Sequence, residues 1–385
     1  MNKYVMWLMA AVFCTPLHAN ENRGVFDIDR WYAGLDGVRA RATSEKISAQ
    51  TIADTLRSPA FIPSIVRSDK NQSEFTLTLD DYLARTVNPE RISSGRKMRL
   101  KYPTMLSRVE TKYGVPPHIM LAFWGLESNY GATKSRHQLT DAFFTLIYEG
   151  RRAQFFENQL IALMKIADKN HQDINDIHGS WAGAMGHFQF IPTTLMQYGV
   201  DGNGDKKIDI INSVGDAMFS AGNYLNKLGW DKNQRIVRRV ILPADFDISM
   251  LDGKTKLTLP QWAALGVTNP DGSPIPQNDM LAGLVADVAM IERARADAAA
   301  IAAAAVATPD TVALSENSSQ ADIIANSIAP AAVPDVMSDT ETDVDIAPMP
   351  VISAYLTYPN FYRIKRWNNS SWYALAIAQL ADELK

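Results

Sequence analysis

Past Ala294 the chain changes character, and this limits what it can fold into. Ala294 to Ala307 is nearly all alanine. Thr308 to Pro350 mixes Ala, Pro, Ser, Asp and Thr, and no Lys or Arg occurs between Arg295 and Arg363. An acidic, low-complexity stretch of this kind cannot bury enough apolar area to offset the entropy of ordering it. The alanine run predicts a solvent-exposed helix, and the rest predicts disorder. Folded character returns at Ile352. Any compact body must therefore be assembled from two pieces that flank an insertion spanning 291–350.

The piece before the insertion divides further. Residues 1–19 read as a secretory signal: Lys3 is the positive region, Tyr4 to Phe13 the apolar one, and Ala19 the cleavage position. The apolar run is too short to span a bilayer comfortably. Residues 20–100 predict a helical lobe, with apolar residues at three- and four-residue spacing over Thr51–Leu56 and Leu79–Val87. Residues 101–230 alternate amphipathic helices with loops rich in Gly, Asn and Asp. Residues 231–290 predict a small β-containing lobe, in which the Ile- and Val-rich run Arg235–Pro243 is a strand. Within the final piece, 351–385, Tyr355–Tyr358 and Phe361–Ile364 flank Pro359-Asn360 and predict a β-hairpin. Trp372–Leu384 predicts a closing helix. The expected fold class is mainly α (α+β).

Composition excludes several function classes. The only cysteine, Cys14, lies within the signal. Phe13 before it is too bulky for a lipid-attachment motif, so the mature chain has no thiol, no disulfide and no cysteine chemistry. The 6 histidines form no helical metal-ligand pair, which argues against a zinc hydrolase. A net charge of −4 argues against nucleic acid as a partner.

Pro116-Pro117 opens a helix whose residues Ile119, Met120, Phe123, Trp124 and Leu126 are apolar on several faces. Glu127 sits near its C-terminal end, and Gly131 supplies a stop. Apolar neighbours and the negative end of the helix dipole both disfavour the carboxylate. Both effects raise its pKa, which suits a general acid near neutrality. The competing reading is an exposed Glu paired with Lys134 or Arg136.

Several separated motifs then occur in order. Trp124-Gly125-Leu126-Glu127-Ser128-Asn129-Tyr130-Gly131 comes first. Gly150-Arg151-Arg152 with Phe155-Phe156 follows. Next come Gly179-Ser180-Trp181-Ala182-Gly183-Ala184-Met185-Gly186 and Gln189-Phe190-Ile191-Pro192, and last Arg366-Trp367-Asn368-Asn369-Ser370. Together they resemble the B-type lytic murein transglycosylases over roughly 25–285 and 351–385. The resemblance implies a lysozyme-like catalytic core with an added N-terminal α lobe and a small β lobe. It also implies non-hydrolytic cleavage of the β-1,4 MurNAc–GlcNAc bond, leaving a 1,6-anhydro end, with Glu127 as the single acid/base. One carboxyl suffices because the sugar supplies its own nucleophile, whereas ordinary glycosidases use two. Ser180, Gln189, Phe190, Tyr82 and Asn368 fall on cleft motifs of that family. Arg151 and Arg152 are candidates to meet the peptide stem, against the alternative of a solvated pair. The family usually has Gln at His187 and Tyr at Trp367, and the resemblance places Trp367 among the substrate-binding residues.

The run Asp201-Gly202-Asn203-Gly204-Asp205-Lys206-Lys207-Ile208-Asp209-Ile210-Ile211-Asn212 places oxygen side chains at positions one, three, five, nine and twelve. Lys207 offers its carbonyl at seven, which completes the spacing of a calcium-binding EF-hand loop. Lys206 replaces the usual glycine and Asn212 the usual glutamate, so the structural Ca²⁺ site would be weak. The alternative is a metal-free Asp/Asn/Gly turn. No organic cofactor is expected. The expected partners are peptidoglycan glycan strands and, beyond them, other cell-wall enzymes. A monomer in the periplasm is expected, with outer-membrane association left open. Two other functions stay open. One is a hydrolytic muramidase with Asp141 or Glu149 as a second carboxylate. The other is a non-catalytic peptidoglycan-binding scaffold.

Overall fold

The computed structural model describes residues 26–70, 77–133, 135–306 and 351–385. The signal segment, Lys134 and Thr308–Pro350 lie outside them. Seven helices lead into the core: α1 (Ile28–Ser44), α2 (Ala49–Thr55), α3 (Pro63–Lys70), α4 (Leu79–Thr86), α5 (Pro89–Lys101), α6 (Pro103–Tyr113) and α7 (Pro117–Ser128). Their starts follow the local chemistry. Asp27, Ser48, Thr78 and Asn88 each accept a backbone N–H of the first turn, and Pro89, Pro103 and Pro117 open helices whose first N–H needs no partner. The stretches Thr51–Leu56 and Leu79–Val87 are helical as expected.

A two-residue strand pair, β1 (His137–Gln138) with β2 (His178–Gly179), brackets α8 (Leu139–Glu149) and α9 (Ala153–Asn170). The helices α10 (Pro192–Tyr198) and α11 (Val214–Lys227) follow. The β lobe contains β3 (Val237–Leu242), β4 (Leu257–Thr258), α12 (Leu259–Ala264) and β5 (Leu281–Val285), then α13 (Val288–Val306). Past the insertion come β6 (Ile352–Thr357), α14 (Pro359–Trp367) and α15 (Ser371–Glu383).

One sequence expectation fails here. Pro359-Asn360 does not turn a hairpin. Pro359 opens α14 after an extended Tyr358, and Phe361 and Ile364 are buried at helical spacing. The strand before it takes non-local partners instead. β6 lies between β3 and β5, antiparallel to both, in the order β3-β6-β5-β4.

The core has two parts. The larger lies among the helices around Phe123, Trp124, Phe143, Phe156 and Phe188. The smaller underlies the sheet around Val240, Trp262, Leu284 and Leu356, where Trp262 Nε1 donates to the Ala282 carbonyl at 2.9 Å. α13 is anchored at its start. Ile291 is buried in the smaller core, and Arg295 donates to the Ala244 and Phe246 carbonyls. Among the described residues, no helix is long and apolar enough to cross a membrane.

Candidate active site

Helix α7 is buried on nearly every side, from Ile119 to Gly125. It stops abruptly because Asn129, Tyr130 and Gly131 all adopt positive φ. The stop therefore begins two residues before the glycine that marks it in the sequence. Glu127 emerges in the last turn, partly buried. α15 packs along α7, and α14 leads into α15. This packing places two donors on one carboxyl oxygen of Glu127. Trp367 Nε1 donates to Oε1 at 2.9 Å and Tyr373 Oη donates to the same atom at 2.6 Å. The donors lie 240 and 246 residues beyond the acid in sequence. Burial pushes the Glu127 carboxyl up to about 7, against the two donors, which favour the ionised form. Burial also raises the Tyr373 hydroxyl well above the ordinary tyrosine range, so it serves as a donor.

Trp367 is clamped by aromatic rings. Phe123, Tyr224 and Phe190 have ring centroids 4.9, 4.9 and 5.5 Å from it. Phe190 was expected to face the substrate. At 3% exposure it has no surface for a sugar, and it backs Trp367 instead. Tyr82 is half-buried and packs on Trp372, with ring centroids 5.6 Å apart. Burial raises its hydroxyl, and Glu127 adds a smaller push in the same direction.

The glycine-rich block closes the other side of α7. Ser128 Oγ donates to the His187 carbonyl at 2.7 Å, and Trp124 Nε1 donates to His187 Nδ1 at 3.0 Å. Burial lowers the His187 pKa, which favours the neutral ring that this accepted bond requires. Ser180 Oγ accepts the Ala184 N–H, and Gln189 Nε2 donates to the Gly186 carbonyl at 2.9 Å. A Cβ on Gly186 would lie 2.4 Å from the Ile210 carbonyl oxygen at a φ of +72°, so only glycine fits there. Ser180, Gln189 and Asn368 are all half-buried, and Asn368 Oδ1 accepts the Ser370 N–H.

Arg151 and Arg152 are not gathered with this group. Both pair with Asp69, whose side chain is 1% exposed. The two guanidinium groups occupy both oxygens of this buried carboxylate and supply its counter-charge, which ties α3 to the α8–α9 turn. The two residues reserved for a second carboxylate are also occupied elsewhere. Asp141 accepts the Ala60 N–H at 2.8 Å, and Glu149 accepts the Arg151 N–H at 2.9 Å.

The loop 201–212 has part of the expected form. Asp201 accepts backbone N–H from Gly204 and Lys206, and these hold its carboxyl below the ordinary range. Lys206 adopts a φ of +71°, the left-handed backbone that position six of an EF-hand requires. The other side chains satisfy one another. Asn203 donates to Asp205, and Asn212 to Asp209. Lys207 donates its N–H to Asp205. Among the described residues, no three His, Cys, Asp or Glu side chains converge as metal ligands. Asp216, which the sequence pattern did not single out, organises the loop from behind. It is 0% exposed and accepts the N–H groups of Gly202, Asn203 and Asp209.

A family model described as Transglycosylase SLT domain matches residues 30–304 and 295–382. Membrane-bound lytic murein transglycosylase B of Escherichia coli (strain K12) is 33% identical over 193 residues, 49% of this chain and 51% of that protein. The match thus spans about half the length of that relative. SltB3 from Pseudomonas aeruginosa, in complex with NAG-anhNAM-pentapeptide, superposes with a TM-score of 0.72 at 31% identity. That alignment covers 92% of this chain and 79% of SltB3. Escherichia coli Slt35 in complex with calcium superposes with a TM-score of 0.67 at 24% identity, over 92% of each chain, which shows the shared fold. With a family model covering most of its length, the chain belongs to the Transglycosylase SLT domain family.

Proposed function

We propose that this protein is a peptidoglycan lytic transglycosylase of the periplasm, with Glu127 as its only acid/base. The observation that carries this reading is one carboxyl, raised to about 7, with both hydrogen-bond donors on Oε1. The acidic proton then belongs on Oε2. That oxygen protonates the glycosidic oxygen as the C1–O bond breaks. The resulting carboxylate takes the proton of the C6 hydroxyl while O6 closes on C1. Water is not consumed, Glu127 regains its proton, and a 1,6-anhydro end remains. The engagement of Asp141 and Glu149 elsewhere supports this route over hydrolysis, which needs a second carboxylate. Mass spectrometry of fragments from digested peptidoglycan tests it. Anhydro-muropeptides are expected, and reducing-end muropeptides would make the protein a muramidase.

The alkaline limb of activity is expected near pH 7, because the acid must enter the reaction protonated. Trp367→Phe and Tyr373→Phe each remove a donor that favours the carboxylate. Each variant should therefore move that limb to higher pH while lowering kcat. A pH–rate profile of kcat/KM checks this, and a limb that stays in place would mean that another group titrates.

The loop 201–212 supplies hard oxygen donors and the left-handed turn of a calcium loop, although its carboxylates do not converge on one point. It fits a weak structural Ca²⁺ site, with Asp201, Asn203, Asp205, Asp209, Asn212 and the Lys207 carbonyl as ligands. Calcium there would neutralise the carboxylates and stiffen the loop. At tenfold above a millimolar-range Kd it should stabilise the fold by about 1.4 kcal/mol. A thermal melt with calcium, and one with Asp201→Asn, measures this. Equal melts with and without calcium would leave a metal-free turn.

A further inference from the structure

The indole of Trp367 has to be held from outside its own helix. Trp367 is the last residue of α14, and the backbone turns extended at Asn368, with φ −137° and ψ 121°. An indole N–H lies in the ring plane and cannot rotate as a hydroxyl does, so the orientation of the whole ring decides where Nε1 points. The 2.9 Å bond to Glu127 Oε1 is therefore only as well aimed as the ring is well packed.

Of the three rings around the indole, Phe123 belongs to α7 itself, and Phe190 belongs to the glycine-rich block. Tyr224 comes from a separate element, α11, and is 6% exposed. Its ring centre lies 4.9 Å from that of Trp367 at an interplanar angle of 36°. The same ring stacks on Tyr198, 4.5 Å away at 27°. A contiguous run of aromatic rings thus leads from the half-buried Tyr198 to a donor of the acid.

Hydrogen bonds fix this run in place. Asn223, beside Tyr224, donates to the Tyr198 carbonyl at 2.9 Å. Arg366 and Arg363 of α14 donate to the Leu228 and Gly229 carbonyls, just past the end of α11, at 3.2 and 2.7 Å. Arginine there satisfies carbonyls that the helix leaves unpaired. Tyr224 Oη reaches the Arg366 carbonyl only at 3.5 Å, long enough to contribute little. α11 is itself set closely against α6, since a Cβ on Gly222 would lie 2.8 Å from both the Tyr113 ring and the Val109 side chain. The helical body therefore places Tyr224, and α14 is tied onto it.

We propose that Tyr224 is a positioning residue for the reaction, its ring holding the Trp367 indole in the orientation that delivers Nε1 to Glu127 Oε1. This rests on the reading of Glu127 as the acid/base and adds to the machinery a residue from α11. Because the Nε1 donor favours the carboxylate, loosening the indole lets the acid keep its proton to higher pH. The other titratable groups around the acid are Tyr373 on α15, Tyr82 on α4 and, beside Tyr82, Arg91 on α5. None of them is altered in the test. Burial pushes the Tyr224 hydroxyl up to about 12, so replacing it changes no charge near neutral pH.

The test is the pH profile of kcat/KM. Tyr224→Leu removes the ring, and Tyr224→Phe keeps it. In Tyr224→Leu the alkaline limb is expected to move up by about half a pH unit, with kcat lowered about tenfold. In Tyr224→Phe the limb should stay where it is. In a Trp367→Phe background, Tyr224→Leu should add no further shift, because the donor that it aims is already gone. A limb that stays in place in Tyr224→Leu, whatever happens to kcat, overturns the proposal, and so does an equal shift in the Trp367→Phe background. If Tyr224→Leu does not fold, Tyr198→Leu carries the test from the half-buried end of the run. It should move the limb in the same direction by a smaller amount, and an unmoved limb there overturns the proposal. Failure of the parent reading shows elsewhere: the unaltered protein would release no anhydro ends.

Discussion

Glu127→Gln is expected to abolish the release of anhydro-muropeptides and, above neutral pH, to make the protein more stable. The first effect follows from removing the only proton donor, a loss on the order of a thousandfold or more. The second follows from linkage. The folded state holds this carboxyl at about 7 because burial disfavours its charge, whereas the unfolded chain holds it near 4.5. The stability associated with the bound proton is fully present below pH 4.5 and is lost as pH rises through 7. The difference amounts to at most about 3 kcal/mol, reduced to roughly 2 kcal/mol because the residue is only partly buried. Glutamine avoids this penalty. Denaturant unfolding should therefore give near-equal stabilities at pH 4 and a more stable variant at pH 8. An inactive variant that gains nothing at pH 8 would mean that the acid is not held protonated by burial.

Asp216→Ala is expected to cost about 3–5 kcal/mol. Its carboxylate, fully buried, accepts three backbone N–H groups, and alanine leaves all three without this charged acceptor. The effect should also reach the active site. The His187 N–H donates to the Ile210 carbonyl, and the loop that carries Ile210 is tied to Asp216 through Asp209. Lower unfolding free energy with lower kcat/KM would match this picture. A fully active and fully stable variant would contradict it.

These two residues differ in how visible they were in the sequence. Glu127 stood out because its neighbours are apolar around the whole helix, a local pattern. Asp216 looked like an ordinary acid in the first turn of a helix, and only the fold shows what it holds. The α-rich fold, the strand at β3 and the closing helix were legible for the same reason as Glu127: short-range periodicity dictates them. The hairpin reading failed because Pro359-Asn360 has local turn chemistry, while the pairing of β6 is decided by β3 and β5, more than a hundred residues and roughly seventy residues away. Arg151 and Arg152 looked free because their partner, Asp69, lies 82 and 83 residues earlier. Trp367 reads in the sequence as a substrate-cleft aromatic, and nothing there singles out Tyr373. Neither could be assigned to Oε1 without the packing of α15 on α7.

The central position of β6 has a consequence in time. β3 and β5 both precede the insertion and β6 follows it, so the sheet cannot close until the final piece of the chain has joined the fold. The two groups that hold the Glu127 carboxyl are made later still, within the final helices. Until then the acid sits on a finished α7 with nothing to aim it. A chain cut short anywhere before Trp367 is therefore expected to carry Glu127 with neither donor on Oε1.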